Sequence, residues 1–261
     1  MTDAGWYAGR APIGTRLVSE EQPWEWLSAG WRDLRRAPEV SLAYGALFSA
    51  ISFVLTAGLY FADLLYLLLP LAAGFMFLGP LIAVGLYEVS RRLETGEPVT
   101  FRDAATAWRR HFPQIAGMGL ILMLFMLVWI RLATLIFALF FSGTPASWEA
   151  LINIVFFSLD GIPFLIVGTL VGGVLAALAF AVSAVSLPIL LDRDIGVIRA
   201  IGLSLEATLR NWRVMIGWAG LIALFTAGGL ATAYVGLIVT LPLVGHASWH
   251  AYRDLIGGAT D

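Results

Sequence analysis

Between residues 115 and 141 the chain is unbroken apolar sequence in which Arg131 is the single charged residue. A helix that long crosses a hydrocarbon core about 30 Å thick, where only helices and closed barrels satisfy their own backbone polar groups. Similar stretches recur at 40–61, 64–89, 162–191 and 215–256. The fold class expected is therefore an all-α integral membrane protein. The share of hydrophobic residues, 59%, agrees, since soluble domains sit near about 45–50%.

Each pair of apolar stretches is introduced by an amphipathic one. In residues 100–115, TFRDAATAWRRHFPQI, Thr100 and Asp103 stand at capping-box spacing. Phe101, Ala104, Trp108 and His111/Phe112 share one stripe, with Arg102, Arg109 and Arg110 opposite. Pro113 then resets the backbone. The device returns at 24–40 (WEWLSAGWRDLRRAPEV) and 198–215 (IRAIGLSLEATLRNWRVM), the last capped by Asp194. In the first copy Trp24, Leu27, Trp31 and Leu34 draw the stripe, with Glu25, Arg32, Asp33, Arg35 and Arg36 elsewhere. Trp beside Arg suits the headgroup layer, and docking on protein is the alternative. Three copies predict six transmembrane helices as three hairpins, each preceded by a cytoplasmic amphipathic helix.

Charge placement orients the hairpins. All 16 basic residues are Arg. Between spans on the proposed outer side stand Asp63, Glu149 and Asp160, with no Arg unless Arg131 snorkels there. Positive charge marks the cytoplasmic side, so both termini are expected inside. Residues 215–256 fit one long span or a hairpin turning near Gly228 and Gly229; Arg210 and Arg213 before this stretch and Arg253 at its far end call for an even number of crossings. The short apolar segment 147–159, with Ser147 as N-cap, is expected flat on the outer surface or re-entrant. Weak internal repetition sets PLIAVGLYEVSRRL, from Pro80, against PLVGHASWHAYRDL, from Pro242.

The domains expected are a cytoplasmic tail with its interfacial helix (1–37), one transmembrane domain (38–257) and a short tail (258–261). Residues 1–22, rich in Gly, Pro and Ala, read as mobile, and no removable signal peptide is seen.

Few residues offer chemistry. His246 and His250 lie four apart with Asp254 one turn further, a spacing that can present a metal site. Without the Glu of H-E-x-x-H, hydrolytic zinc chemistry is poorly supported, and anchoring at the headgroups beside Trp249 and Tyr252 is the preferred reading. No metal and no cofactor is therefore assigned. Arg131, a lone intramembrane charge, is expected to pair with Glu149, Asp160 or Asp63, or to snorkel. Gly168, Gly172 and Ala176 form a small-residue stripe for helix packing, within the chain or in a homo-oligomer. Ser183 and Ser186 are expected to bond carbonyls one turn back. The absence of cysteine excludes disulfides, thiolate sites and cysteine nucleophiles. No nucleophile elbow, phosphate loop or dinucleotide fingerprint occurs. The chain is expected not to be an enzyme.

Three strings, GPLIAVGLYEVSRRLETGEP, SLPILLDRDIGVIRAIGLSLEATLRN and VGHASWHAYRDLIG, resemble the bacterial membrane family called domain of unknown function 2189. The similarity runs from about residue 33 to 257. The resemblance implies a bacterial inner-membrane address and no particular activity. The functional expectation is a non-catalytic scaffold or accessory membrane subunit, with a hairpin-built transporter or channel for a small solute or lipid as the alternative. The partners expected are the lipid bilayer, with other membrane subunits or a second copy, and no nucleic acid.

Overall fold

The computed structural model describes residues 13–141, 148–159 and 161–257. A two-stranded ribbon ties the ends together: β1 (Gly14–Thr15) pairs antiparallel with β2 (Ile256–Gly257). Between them run α1 (Gln22–Arg36), α2 (Pro38–Phe61), α3 (Leu68–Ile82), α4 (Val84–Thr95), α5 (Phe101–Thr106) and α6 (Phe112–Phe140). Then follow α7 (Trp148–Phe157), α8 (Gly161–Ser183), α9 (Ser186–Asp192), α10 (Val197–Arg210), α11 (Trp212–Ala231) and α12 (Leu237–Leu255).

The N-terminal segment, as far as it is described, is not a free tail. Arg16 N donates to Leu255 O and Val18 N to Asn211 Oδ1, so a Gly/Pro-rich stretch without periodicity takes its order from distant partners. Both described ends therefore lie on the same side of the helical body.

Five helical stretches are long and apolar enough to cross a membrane: Pro38–Phe61, Pro70–Thr95, Phe112–Phe140, Gly161–Asp192 and Trp212–Ala231. The region 215–256 divides into α11 and α12, and α12 is not among the five. Its inner half carries His246, His250, Arg253 and Asp254. The turn between them falls at residues 232–236 rather than at Gly228 and Gly229. Those glycines stay helical, and a Cβ at Gly229 would come 2.6 Å from Leu237, so Gly229 serves the close approach of the two arms.

Helix α12 is the hub. It packs against α1, α2, α4 and α11, and α1 sits so close that a Cβ at Gly30 would come 2.7 Å from Ala247 N. Gly45 of α2 is equally tight against Ile238 O. The docked face of α1 is Trp26, Leu27, Gly30, Asp33 and Leu34, while Trp24 and Trp31 remain exposed. The stripe expected from Trp24, Leu27, Trp31 and Leu34 is thus split: docking on protein takes one flank and leaves the two Trp outside. On the other side of the molecule α3, α6 and α8 pack on one another.

The remaining surface helices follow the same economy. Thr100 and Asp103 form the expected capping box, but α5 ends at Thr106 and continues only as a 3-10 turn through Arg109. Asp194 does not cap α10; Gly196 is its N-cap, and Asp194 Oδ1 accepts from Gln114 Nε2 instead. Helix α7 packs on α8, and Ser147 lies outside the described residues. The two halves of the internal repeat behave alike: Tyr87 and Trp249 are both buried, and Arg91 and Arg253 both form ion pairs.

Candidate functional site

Two features could carry function: a buried polar layer at the end of the molecule that holds both described termini, and an apolar cavity beside it. The layer begins at His246, which is fully buried. Its Nε2 is 2.9 Å from Ser41 Oγ on α2 and its Nδ1 is 2.9 Å from Ser90 Oγ on α4. Ser90 also bonds to Asp33 of α1, and His250 Nε2 lies 2.8 Å from Asp33 Oδ2. An ionised carboxylate only accepts, so the Ser90 hydroxyl donates to Asp33. Nδ1–H of His246 then donates to Ser90, and Nε2 accepts from Ser41. One string of hydrogen bonds thus locks α1, α2, α4 and α12. Burial pushes the Asp33 carboxyl up, but the His250 hydrogen bond and charge, Ser90 and His246 outweigh it and hold the carboxyl below its ordinary value.

A second network continues toward α9. Asp254 Oδ2 accepts from Trp26 Nε1 at 2.8 Å and Gln22 Nε2 at 2.9 Å. Arg253 pairs with Glu94 at 3.0 Å, which also accepts from Trp249 Nε1 at 3.0 Å. The Tyr252 hydroxyl donates to Asp192 at 2.6 Å. On α4, Glu88 takes two bonds from Arg91, both at 2.9 Å, and one from Arg92 at 2.8 Å. The sequence reading placed His246, His250, Trp249 and Tyr252 at the headgroups. In the structure His246, Trp249 and Tyr252 are buried and His250 is partly so, because α1 and α4 cover this face of α12. The His246, His250 and Asp254 side chains each hold separate partners, and no cluster of metal-binding type occurs among the described residues.

The cavity, of 1130 Å³, lies between α3, α6 and α8 on one side and α11 and α12 on the other. It follows α8 from Phe164 to Ser183, roughly 30 Å at 1.5 Å per residue. None of its described lining residues is charged. Gly168, Gly172 and Ala176 all face it. Only Gly172 acts as a packing glycine, with a Cβ there 2.8 Å from the Trp129 ring; Gly168 faces open space. The stripe read as a seam for another helix therefore lines a hollow within the chain.

With long apolar helices around this hollow, the comparison with known families is decisive for class. Residues 68–192 match the family described as predicted integral membrane protein (DUF2189). The chain is an integral membrane protein. No curated protein and no solved structure matches it. The DUF2189 segment contains α3, α4, α6, α8 and α9, hence Ser90, Glu88 and Arg91 of the polar layer and one whole wall of the cavity. Asp33, Ser41, His246 and α11 lie outside it.

Arg131 is exposed on α6. No ion pair joins it to Asp63 among the described residues; the Glu149 side chain and Asp160 lie outside them. Trp129 Nε1 donates to Pro70 O at 3.0 Å, so Arg131 stands near the level of the start of α3. Sequence reasoning missed Ser41 and Ser90 as partners of His246, and Asp33 as the partner of His250. The signal available was the spacing of Trp26, Gly30 and Asp33, which puts a polar residue on the most apolar flank of α1. Ser186 does donate to Val182 O as expected.

Proposed function

We propose that the protein is a non-catalytic scaffold or accessory subunit of the bacterial cytoplasmic membrane, with both described ends on the cytoplasmic face. What carries the reading is where the ionisable groups are spent. The buried ones, Asp33, Glu88, Arg91 and His246, are tied into bonds between or along helices. The large hollow beside α8 holds none among its described lining residues. Buried polar networks fully satisfied in this way rigidify a fold and expose no reactive group. Orientation follows from charge. Arg35, Arg36, Arg102, Arg109, Arg110, Arg199 and Arg213 are exposed at the end that carries the β1–β2 ribbon, which suits the cytoplasmic leaflet.

The geometry favours four complete crossings and one hairpin of partial depth over six crossings. Ser41 and His246 stand at one level, and Ser49 Oγ donates to Tyr234 O at 2.8 Å, so the hairpin tip lies beside Ser49. From there α2 continues to Phe61, about 18 Å further. The tip would then stop short of the outer end of α2, although α11 by itself is as long as a full crossing.

Affinity purification from native membranes tests the scaffold reading: stoichiometric co-migrating membrane proteins are expected, and a protein that purifies alone after in-membrane crosslinking removes it. The cavity favours a second reading, a transporter whose cargo is apolar. Cargo accumulation in proteoliposomes would establish that reading in place of the first.

A further inference from the structure

We propose that the cavity binds an anionic phospholipid of the inner leaflet, with an acyl chain lying along α8 and the phosphate at Arg213. The inference rests on the membrane placement proposed above. It starts from why the hollow exists: α11 and α12 turn back beside Ser49, and the volume a full-length pair would fill is left open beside α3 and α8. Protein interiors are close-packed, so a gap of 1130 Å³ within the bilayer takes up whatever apolar molecule surrounds it.

Shape and chemistry select the occupant. A spanning helix, about 10 Å across, is far bulkier than an acyl chain, and a helix from a partner or a second copy is the occupant the test must tell apart. An acyl chain is thin enough, and the hollow is more than long enough to take one, since a single leaflet is about half of a core about 30 Å thick. A polar solute would meet no charged side chain among the described lining residues. At the rim Leu209, Trp212 and Ile216 line the hollow and are exposed, so it opens sideways toward lipid.

The inner end supplies the polar contacts of a lipid. Thr208 Oγ1 lines the hollow, is buried and has no hydrogen-bond partner. A buried hydroxyl left unmet is costly, and an ester carbonyl would accept its proton. The Arg213 guanidinium lies 5.2 Å from the ring centroid of Trp212, and no carboxylate pairs with it among the described residues. A phosphate there gains a charge-assisted hydrogen bond, with Trp212 as the interfacial ring.

The test uses the full chain in nanodiscs containing phosphatidylglycerol with a diazirine at mid-chain, and maps adducts by mass spectrometry. Adducts on Leu165, Phe180 and Leu241 are expected, in addition to those on the outward Phe53 and Leu55. Adducts on the outward residues alone overturn the site but leave the membrane placement intact; no adducts at all overturn both. In parallel, Gly168→Leu, which has open space for its side chain, should lower co-purified phospholipid at least five-fold. Arg213→Gln should abolish a preference for phosphatidylglycerol over phosphatidylcholine, whereas Arg199→Gln should keep it. Lipid content and preference unchanged in both test variants would overturn the proposal, as would a protein crosslinked into the hollow from a cysteine at Gly168.

Discussion

Asp33 of α1 accepts a 2.8 Å hydrogen bond from Nε2 of His250 on α12, joining two residues 217 positions apart. Through Ser90 the same carboxylate reaches His246 and so Ser41. One acidic side chain thereby fixes the proton positions along a string that crosses four helices. If the string is cooperative, deleting either end should cost more than one surface hydrogen bond.

Asp33→Ala should destabilise the protein by about 3 kcal/mol, because it leaves the buried Ser90 hydroxyl and the partly buried His250 N–H without an acceptor. His250→Ala should cost less, since His250 is partly exposed. The double variant should fall short of the sum by about 1 kcal/mol or more. Unfolding in mixed micelles measures all three, and strict additivity would show that the pair does not couple.

Acid should weaken the same lock. The folded Asp33 carboxyl titrates below its ordinary value of 3.8, so its contribution is complete above that pH and is lost as pH falls through the lower folded value. Glu97, Asp103 and Glu206 are lowered too and act in the same direction. The difference between wild type and Asp33→Asn isolates the one group: it should shrink as pH falls below 3.8. A difference that grows toward low pH would reverse the sign.

The absence of native cysteine makes the hairpin depth directly readable. In intact cells a cysteine at Asp63 should react with a membrane-impermeant maleimide added outside, and one at Val235 should not. In inside-out vesicles Val235→Cys should also stay protected. Labelling of Val235→Cys from outside would restore six full crossings.

Ala233 and Tyr234 both adopt left-handed backbone, with φ of 51° and 69°. A left-handed residue other than glycine costs roughly 1–2 kcal/mol. The turn is held by Thr232 Oγ1 accepting from Gly236 N at 2.8 Å, and by Ser49 and Thr56 bonding to Tyr234. Ala233→Gly should therefore stabilise slightly, and Thr232→Val should destabilise by about 1 kcal/mol. A loss of stability in Ala233→Gly would mean that the strain is not where the dihedral puts it.

Much of the architecture was legible because hydrophobic length and period are local properties. The apolar runs gave the crossing helices, the Thr100–Asp103 spacing gave the capping box, and Pro113 gave a helix start. Asp33 was not legible as a core residue, since a carboxylate beside Arg32, Arg35 and Arg36 reads as a solvated face. Its burial depends on His250 and Ser90, and no local pattern encodes partners that distant. The hairpin turn was placed four residues early for a related reason: glycine marks both turns and close approaches, and only packing tells them apart.

By itself, then, the sequence determined that this chain lives in a bilayer, where some of its helices begin, and that its positive charge gathers at one end. Hydrocarbon length and backbone hydrogen bonding leave no other solution. Tertiary structure alone decided which helix is central, how deep the last hairpin reaches and where a hollow remains. Those follow from contacts between residues far apart in the chain, such as Ser41 with His246 and Ser49 with Tyr234, which side-chain shape selects only once the helices have met.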